Sequence, residues 1–219
     1  MKKAILSLAV LFMASGCERQ LPVVDDLTIA GYQIQGKVTD RIGNPIPNVS
    51  VLLDYNANII PVDSIPTRQY FVSDTSSPIY AVVTNLTNTV VMIITNPRKV
   101  SGLFQAIWNG EDSSGTTAPS GIYHVQYIVN GLVVHSYDQL VSGGRVAITD
   151  SQGRYSIPGQ FLPIDSASVP YFSSFDSSYV GNLHITNDVI LTFVYSSHLR
   201  QAEQALNFGL ITIIDVMFD

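Results

Sequence analysis

The sequence is poor in cysteine and in charged side chains. Cys17 is the only cysteine among 219 residues, so an intramolecular disulfide cannot form. Only 13% of the residues are charged, whereas 46% are hydrophobic. This balance excludes an intrinsically disordered chain, which combines low hydrophobicity with high net charge. The fold must therefore be held together by burial of apolar side chains rather than by cross-links.

Basic residues and long apolar runs are also scarce. The chain has 11 Lys and Arg against 17 Asp and Glu, a formal net charge of −6. An acidic chain of this kind argues against binding nucleic acid through phosphate contacts. The apolar run at residues 4–13 is far shorter than the ~20 residues that a helix needs to span a bilayer.

The first seventeen residues have the layout of an export signal. Lys2 and Lys3 precede the apolar run, which closes on the small residues 14–16 before Cys17. The last four of these residues, Ala-Ser-Gly-Cys, resemble the bacterial lipobox. That resemblance implies removal of residues 1–16, lipidation of Cys17 and a linker at residues 17–31. Glu18 after the cysteine resembles an outer-membrane sorting signal, so we expect a lipid-anchored protein of the cell envelope, at the outer membrane.

Strand-forming residues recur in short runs. Val, Ile, Thr, Tyr and Phe dominate, and Gly, Pro, Asn, Asp and Ser interrupt them. Runs of strand length lie at residues 32–38, 49–53, 80–84, 90–95, 122–129, 132–135, 189–195 and 210–218. Residues 197–206 place good helix formers behind Ser197, a capping candidate. The sequence therefore predicts an all-β sandwich fold with one short helix near the C-terminus.

Two segments resemble the hallmark segments of one family. Residues 36–51 predict two strands joined by a turn at residues 43–45, and residues 146–157 predict a hairpin that turns at residues 150–153. Together they resemble the carboxypeptidase regulatory-like domain, a transthyretin-like β-sandwich that carries no peptidase residues. The matching positions are Gly36, Val38, Asp40, Gly43, Pro45, Ile46, Val49, Val51, Thr149, Asp150, Gly153 and Tyr155.

A third segment, residues 104–129, resembles the FlgD-like immunoglobulin-type module. Its matching positions are Trp108, Asn109, Gly110, Asp112, Gly115, Ala118, Gly121 and Tyr123. About a hundred residues separate the first two segments, more than the regulatory-like family has, so we expect one β-sandwich nested in the other. The predicted layout gives residues 32–65 and 142–219 to the regulatory-like sandwich and residues 66–141 to the inserted module. A tandem, in which residues from 150 onward form a third unit, is the alternative.

Candidate site residues fall in two places. The first is an oxygen-rich loop that suggests calcium, formed by Asn109, Glu111 and Asp112. Position 120 is Ser where an EF-hand loop needs its bidentate Glu, and tight turns favour the same residues. The second is the segment 163–179, which has no clear period and resembles a recognition loop in composition. Its ligand-binding candidates are Tyr171, Phe172 and Tyr179.

The four histidines show no catalytic or zinc-binding spacing. His124, His135, His184 and His198 are isolated, and no nucleophile elbow is present. We therefore predict no catalytic residue, no metal and no cofactor.

The resulting expectation is a non-catalytic, membrane-anchored binding or scaffolding module with a protein or envelope-glycan partner. The alternatives are a subunit of a surface or secretion assembly that pairs through the strand at residues 210–218, and a divergent glycan-active enzyme.

Overall fold

A computed structural model describes residues 31–61, 66–72, 78–95, 98–100, 102–165, 168–173 and 178–219, without the side chains of residues 98–100. These residues are almost entirely β-structure, and a single 3-10 turn at Gly159–Phe161 is the one helical element among them. The predicted all-β sandwich class is confirmed. Within the described part of the chain, no helix is long and apolar enough to cross a membrane.

Sixteen strands lie within the described residues. They are β1 (Gln33–Thr39), β2 (Ser50–Ile60), β3 (Gln69–Phe71), β4 (Ile79–Asn85), β5 (Val90–Ile94), β6 (Arg98–Val100), β7 (Leu103–Gln105), β8 (Gly121–Val129), β9 (Leu132–Val141), β10 (Gly144–Ile148), β11 (Arg154–Ile157), β12 (Ser168–Phe172), β13 (Tyr179–Tyr195), β14 (His198–Ala205), β15 (Ile211–Ile213) and β16 (Val216–Met217).

The first sandwich packs two sheets face to face. One sheet has the order β11-β1-β15, with β16 also paired to β1, and the other has the order β10-β2-β13-β12, with β14 also paired to β13. Apolar side chains alternate along β1 and β2, so one face of each sheet turns inward. The largest fully buried side chains between them are Ile34, Leu53, Ile157, Ile185, Leu191, Phe193 and Leu206.

The two hallmark segments, distant in sequence, meet in this sandwich. The Val38 N–H donates to the Gly153 carbonyl at 2.8 Å, and the Asn48 N–H donates to the Thr149 carbonyl at 3.0 Å. The buried Thr149 hydroxyl donates to the Ile46 carbonyl and accepts from the Val49 N–H, both at 2.9 Å. Thr149 of the second segment therefore hydrogen-bonds to the backbone of the first segment on both sides of Pro47 and Asn48.

A second core lies between a sheet of order β5-β4-β8-β9 and a small sheet of order β3-β7-β6. Phe104 and Tyr127 meet edge to face in it, with ring centroids 5.0 Å apart. Trp108 is buried against Tyr123, and its indole N–H donates to the Glu111 carbonyl at 2.6 Å. Trp108 is thus a residue of the second core.

The two cores draw on different parts of the chain. Buried members of the first lie at residues 32–53 and 155–218, together with Ile122, and those of the second lie at residues 72–141. The junction between the two cores contains polar contacts as well as apolar ones. There the buried Ser120 hydroxyl donates to the Leu53 carbonyl at 2.5 Å and accepts from the Gly144 N–H at 2.8 Å. The nested layout of domains stays a prediction.

The predicted helix at residues 197–206 is wrong. His198–Ala205 forms β14, which pairs with the C-terminal half of β13 from Tyr195↔His198 to Asp188↔Ala205. Ser196, with φ of 53°, makes the tight turn between them. Helix propensity is a weak preference, and the long β13 strand offers a ladder of backbone partners that outweighs it.

The C-terminal strand predicted at residues 210–218 is confirmed in position but is interrupted. β15 and β16 both run parallel to β1, and between them the Ile214 N–H donates to the Gln35 carbonyl at 2.9 Å. Asp215 accepts the Lys37 N–H at 2.8 Å. This segment therefore completes its own sheet along one edge, while the outer edge of β15 has no strand partner among the described residues.

Buried tyrosines give the fold a defined alkaline limit. Burial raises the pKa of Tyr123 to about 12, and it also raises the pKa of Tyr55, Tyr137 and Tyr155. A phenol whose folded pKa exceeds its unfolded value near 10 stabilises the fold fully below pH ~10, and that stability is lost as pH rises through the folded pKa. We expect unfolding, followed by circular dichroism, to coincide with late phenolate absorbance at roughly 295 nm, between about pH 10 and 12. Complete titration of all tyrosines near pH 10 in a protein that stays folded would contradict this.

Candidate functional site

A polar and aromatic cleft of about 210 Å³ lies where the second core meets β12 and β13. The chain leading into β3 forms one wall, and the ends of β12 and β13 form the other. Its lining residues are Pro66, Thr67, Arg68, Gln69, Gln105, Phe172 and Tyr179. Two of the three aromatic residues predicted to bind a ligand, Phe172 and Tyr179, therefore share this cleft with residues from a distant part of the chain.

Arg68 is the charged group of the cleft. Its guanidinium carbon lies 4.3 Å from the centre of the Phe172 ring and 5.5 Å from that of Tyr137. The Tyr127 hydroxyl donates to the Arg68 carbonyl, which holds the backbone in place. No ion pair within the described residues involves Arg68, and its buried Nε has no hydrogen-bond partner among them. The cation is thus positioned by aromatic packing, and no carboxylate among the described residues neutralises it.

The aromatic side chains form a connected group around this cation. Phe172 is buried and meets Tyr137 and Tyr179 edge to face, at centroid distances of 6.3 and 5.9 Å. The Tyr179 hydroxyl donates to the Asn182 side chain at 2.8 Å. Tyr171 lies on the same strand but is exposed outside the cleft lining. Phe172 and Tyr179 therefore both line the cleft, and Phe172 also packs against Arg68. A ligand contact by Tyr171, Phe172 or Tyr179 stays a prediction.

β3 and β7 contribute Gln69 and Gln105 to the cleft. The register pairs Gln69 with Gln105 and Phe71 with Leu103, so all four side chains lie on one face. The opposite face carries Phe104, which is fully buried in the second core. Phe71 is 63% exposed. Gln69 and Gln105 thus line the cleft together with the arginine, and Phe71 lies next to Gln69 on the same face of the sheet, outside the cleft lining.

Side-chain oxygens of the loop proposed for calcium accept hydrogen bonds from groups within the same loop. Asp112 Oδ1 accepts the Ser114 hydroxyl and the N–H groups of Ser114 and Thr116, and these hydrogen bonds lower the pKa of its carboxyl. Asn109 Nδ2 donates to Glu111 Oε2 at 2.7 Å. Among the described residues, no group of three or more His, Cys, Asp or Glu side chains is placed to hold a metal. Asn109, Glu111 and Asp112 therefore build a turn in this structure.

The histidines, isolated in sequence, acquire partners in the fold. His124 Nδ1 lies 2.6 Å from Asp138 Oδ1 across β8 and β9. His135 stacks on Tyr127 at 5.3 Å, and its Nε2 lies 2.8 Å from the Thr67 carbonyl beside the cleft. His184 lies 3.7 Å from Asp165. These pairings were not visible in sequence because they depend on strand register.

Sequence reasoning missed Arg68, the residue on which the cleft depends. It belongs to no motif, and its neighbours in the chain are ordinary turn and strand residues. The predicted lipidation site, Cys17, lies outside the described residues.

Comparison with known proteins adds no family to these observations. No model of a known protein family matches the chain, and neither a curated protein nor a solved structure matches it. The resemblances to the regulatory-like domain and to the FlgD-like module therefore stay as hypotheses that rest on the residues themselves.

Proposed function

We propose that the protein is a non-catalytic lipoprotein of the bacterial cell envelope, anchored through Cys17 at the outer membrane, whose Arg68 cleft binds an acidic glycan. The single observation that carries the binding role is an arginine fixed over Phe172 without a carboxylate partner among the described residues. The membrane anchor rests on the export signal and the lipobox-like residues before Cys17.

The side chains that line the cleft favour ligand binding over catalysis. A guanidinium stays protonated in proteins, amides do not titrate, and Tyr179 is engaged with Asn182. These groups donate and accept hydrogen bonds without moving protons. The divergent-enzyme alternative would need its catalytic groups elsewhere in the molecule.

The neighbours of Arg68 favour a glycan over a protein. Gln69 and Gln105 each offer a donor and an acceptor, which matches the hydroxyl groups of a sugar. Phe71, which lies two residues from Gln69 on the same face of the sheet and outside the cleft lining, offers an exposed apolar ring on which a further part of the glycan can stack. The guanidinium fork matches a carboxylate in two parallel hydrogen bonds. A sugar that bears a carboxylate matches both the guanidinium and the two amides of the cleft lining.

Affinity electrophoresis through gels containing a polyuronate or a neutral xylan tests this ligand. We expect the wild-type protein to be retarded by the polyuronate, and we expect Arg68→Gln to weaken binding by about tenfold or more, because a hydrogen bond to a charged group contributes ~1.5–3 kcal/mol. Arg154→Gln is the matched control, since it removes an exposed arginine of the first sandwich. It should bind like the wild type.

Equal retardation of all three proteins would mean that general charge, and not the cleft, binds the polymer. Retardation by xylan alone would leave a glycan-binding protein without the acidic specificity proposed. Absence of retardation in both gels would contradict the glycan and direct the search to protein partners.

A further inference from the structure

Exposed apolar side chains line the outer edge of the first sandwich at β15 and β16. We call this the edge patch and define it as Phe208, Leu210, Ile211, Ile213 and Met217, whose exposed fractions range from 41% to 72%. Ile211, Ile213 and Met217 pair with Gln33, Gln35 and Thr39 of β1, which alternate with the buried Ile34 and Val38. These three side chains therefore point away from the core.

The edge patch lies beside the place where the described chain begins. The Gly209 N–H donates to the Gly31 carbonyl at 2.9 Å, and the Tyr32 and Phe208 rings meet edge to face at 5.6 Å. Residues 18–30 connect this point to Cys17 and span at most ~45 Å when fully extended. A lipid on Cys17 would keep the patch within that distance of the membrane.

Two cations share the outward face with the patch. Lys37 and Arg154 are paired across β1 and β11, and both are exposed. Asp215 is the nearby carboxylate, and one of its oxygens accepts the Lys37 N–H. Asp219, two residues after Met217, is paired with Arg41 and Arg200. Apolar side chains flanked by basic ones match a phospholipid surface, which offers acyl chains below phosphate groups.

We infer that the edge patch rests on the phospholipid surface that holds the lipidated Cys17. This inference rests on the proposed lipid anchor and adds an orientation to it: the outward face of the β11-β1-β15 sheet lies toward the membrane. The apolar side chains enter the interfacial layer, while Lys37 and Arg154 lie at the level of the phosphates. The lipid chains supply most of the attachment, and the edge patch sets the orientation of the protein on the membrane.

Quenching by brominated lipids measures this contact directly. Lipidated full-length protein carrying Phe208→Trp would be reconstituted into phosphatidylethanolamine and phosphatidylglycerol vesicles with or without bromine on the acyl chains. Leu132→Trp is the matched control, because Leu132 is 71% exposed, as Phe208 is 72%, and lies at the β8–β9 turn. The native Trp108 is buried and supplies the constant background. Ile213→Trp provides a second probe if Phe208→Trp perturbs the fold.

We expect the Phe208→Trp and Ile213→Trp proteins to lose most of the fluorescence of the added indole in brominated vesicles, and the Leu132→Trp protein to lose none. Mass spectrometry of Cys17 on the same sample separates the two possible failures. A lipidated protein in which neither edge-patch probe is quenched would overturn the orientation alone, whereas an unmodified Cys17 would overturn the anchor and this inference with it. A blue shift of the Phe208→Trp protein that depends on protein concentration, without quenching, would overturn the inference in favour of a second copy of the chain.

Discussion

Gly36→Ala should destabilise the protein by about 3 kcal/mol or more, at the upper end of what overpacking costs. An alanine Cβ at this position would lie 1.9 Å from the Ile214 carbonyl oxygen and 2.8 Å from the Tyr155 ring. The carbonyl belongs to the backbone, so it cannot rotate away. Its displacement would also break the hydrogen bond from the Tyr155 hydroxyl to that same oxygen, which is 2.7 Å long.

Urea denaturation of Gly36→Ala and the wild-type protein measures this loss. Lys37→Ala is the control, because the Lys37 side chain is exposed on the same strand and its removal should change the free energy of unfolding by no more than about 0.5 kcal/mol. A Gly36→Ala variant as stable as this control would mean that the C-terminal segment does not pack against β1 as described.

Gly144→Ala should have an effect of similar size, at the junction of the two cores. The added Cβ would lie 2.1 Å from the Ala118 carbonyl oxygen and 2.6 Å from the Ser120 nitrogen. The clash separates the segment at residues 118–120 from β10, and it disrupts the hydrogen bonds from the Gly144 N–H to the Ser120 hydroxyl and from that hydroxyl to Leu53. We expect a loss of about 3 kcal/mol or more and a weaker coupling of the two cores.

Trp108 makes the coupling measurable because it reports on the second core alone. In the wild-type protein, its fluorescence and the circular dichroism of the whole chain should change together during denaturation. In Gly144→Ala, the two transitions should separate. Ile148→Ala, on the same strand and exposed, should leave them coincident. Coincident transitions and an unchanged midpoint in Gly144→Ala would show that the junction does not join the cores.

The strand-length runs read from the sequence all fall on strands, because the fold keeps polar and apolar residues on opposite faces, whereas the strands β3, β6, β7 and β12 lie in none of those runs. Gly36 and Thr149 were both identified as motif positions, and the structure gives each a physical role. Gly36 leaves space for the Ile214 carbonyl, and the Thr149 hydroxyl donates a hydrogen bond to the Ile46 carbonyl. The helix expected at residues 197–206 was wrong for the opposite reason. Its side chains favour a helix locally, and only the presence of β13 alongside decides in favour of a strand.

The candidate site was predictable only in part. Phe172 and Tyr179 were found because aromatic residues in an irregular segment suggest recognition. Arg68 was not found, since its role comes from Phe172, which lies about a hundred residues later in the chain. Long-range proximity of this kind has no signature in a single sequence. The same holds for the His124–Asp138 pair, which depends on the register of β8 and β9.

Photo-crosslinking in the native envelope tests most directly whether the Arg68 cleft binds an acidic glycan. A photoreactive phenylalanine analogue at position 71 would lie two residues along β3 from Gln69, which lines the cleft, and the same analogue at position 132 would be the exposed control. We predict adducts at position 71 whose apparent mass falls on digestion with polyuronate-degrading enzymes, and we predict that they are absent from the Arg68→Gln protein. A discrete adduct that resists these enzymes and yields to protease, or adducts unchanged by Arg68→Gln, would contradict the proposed function.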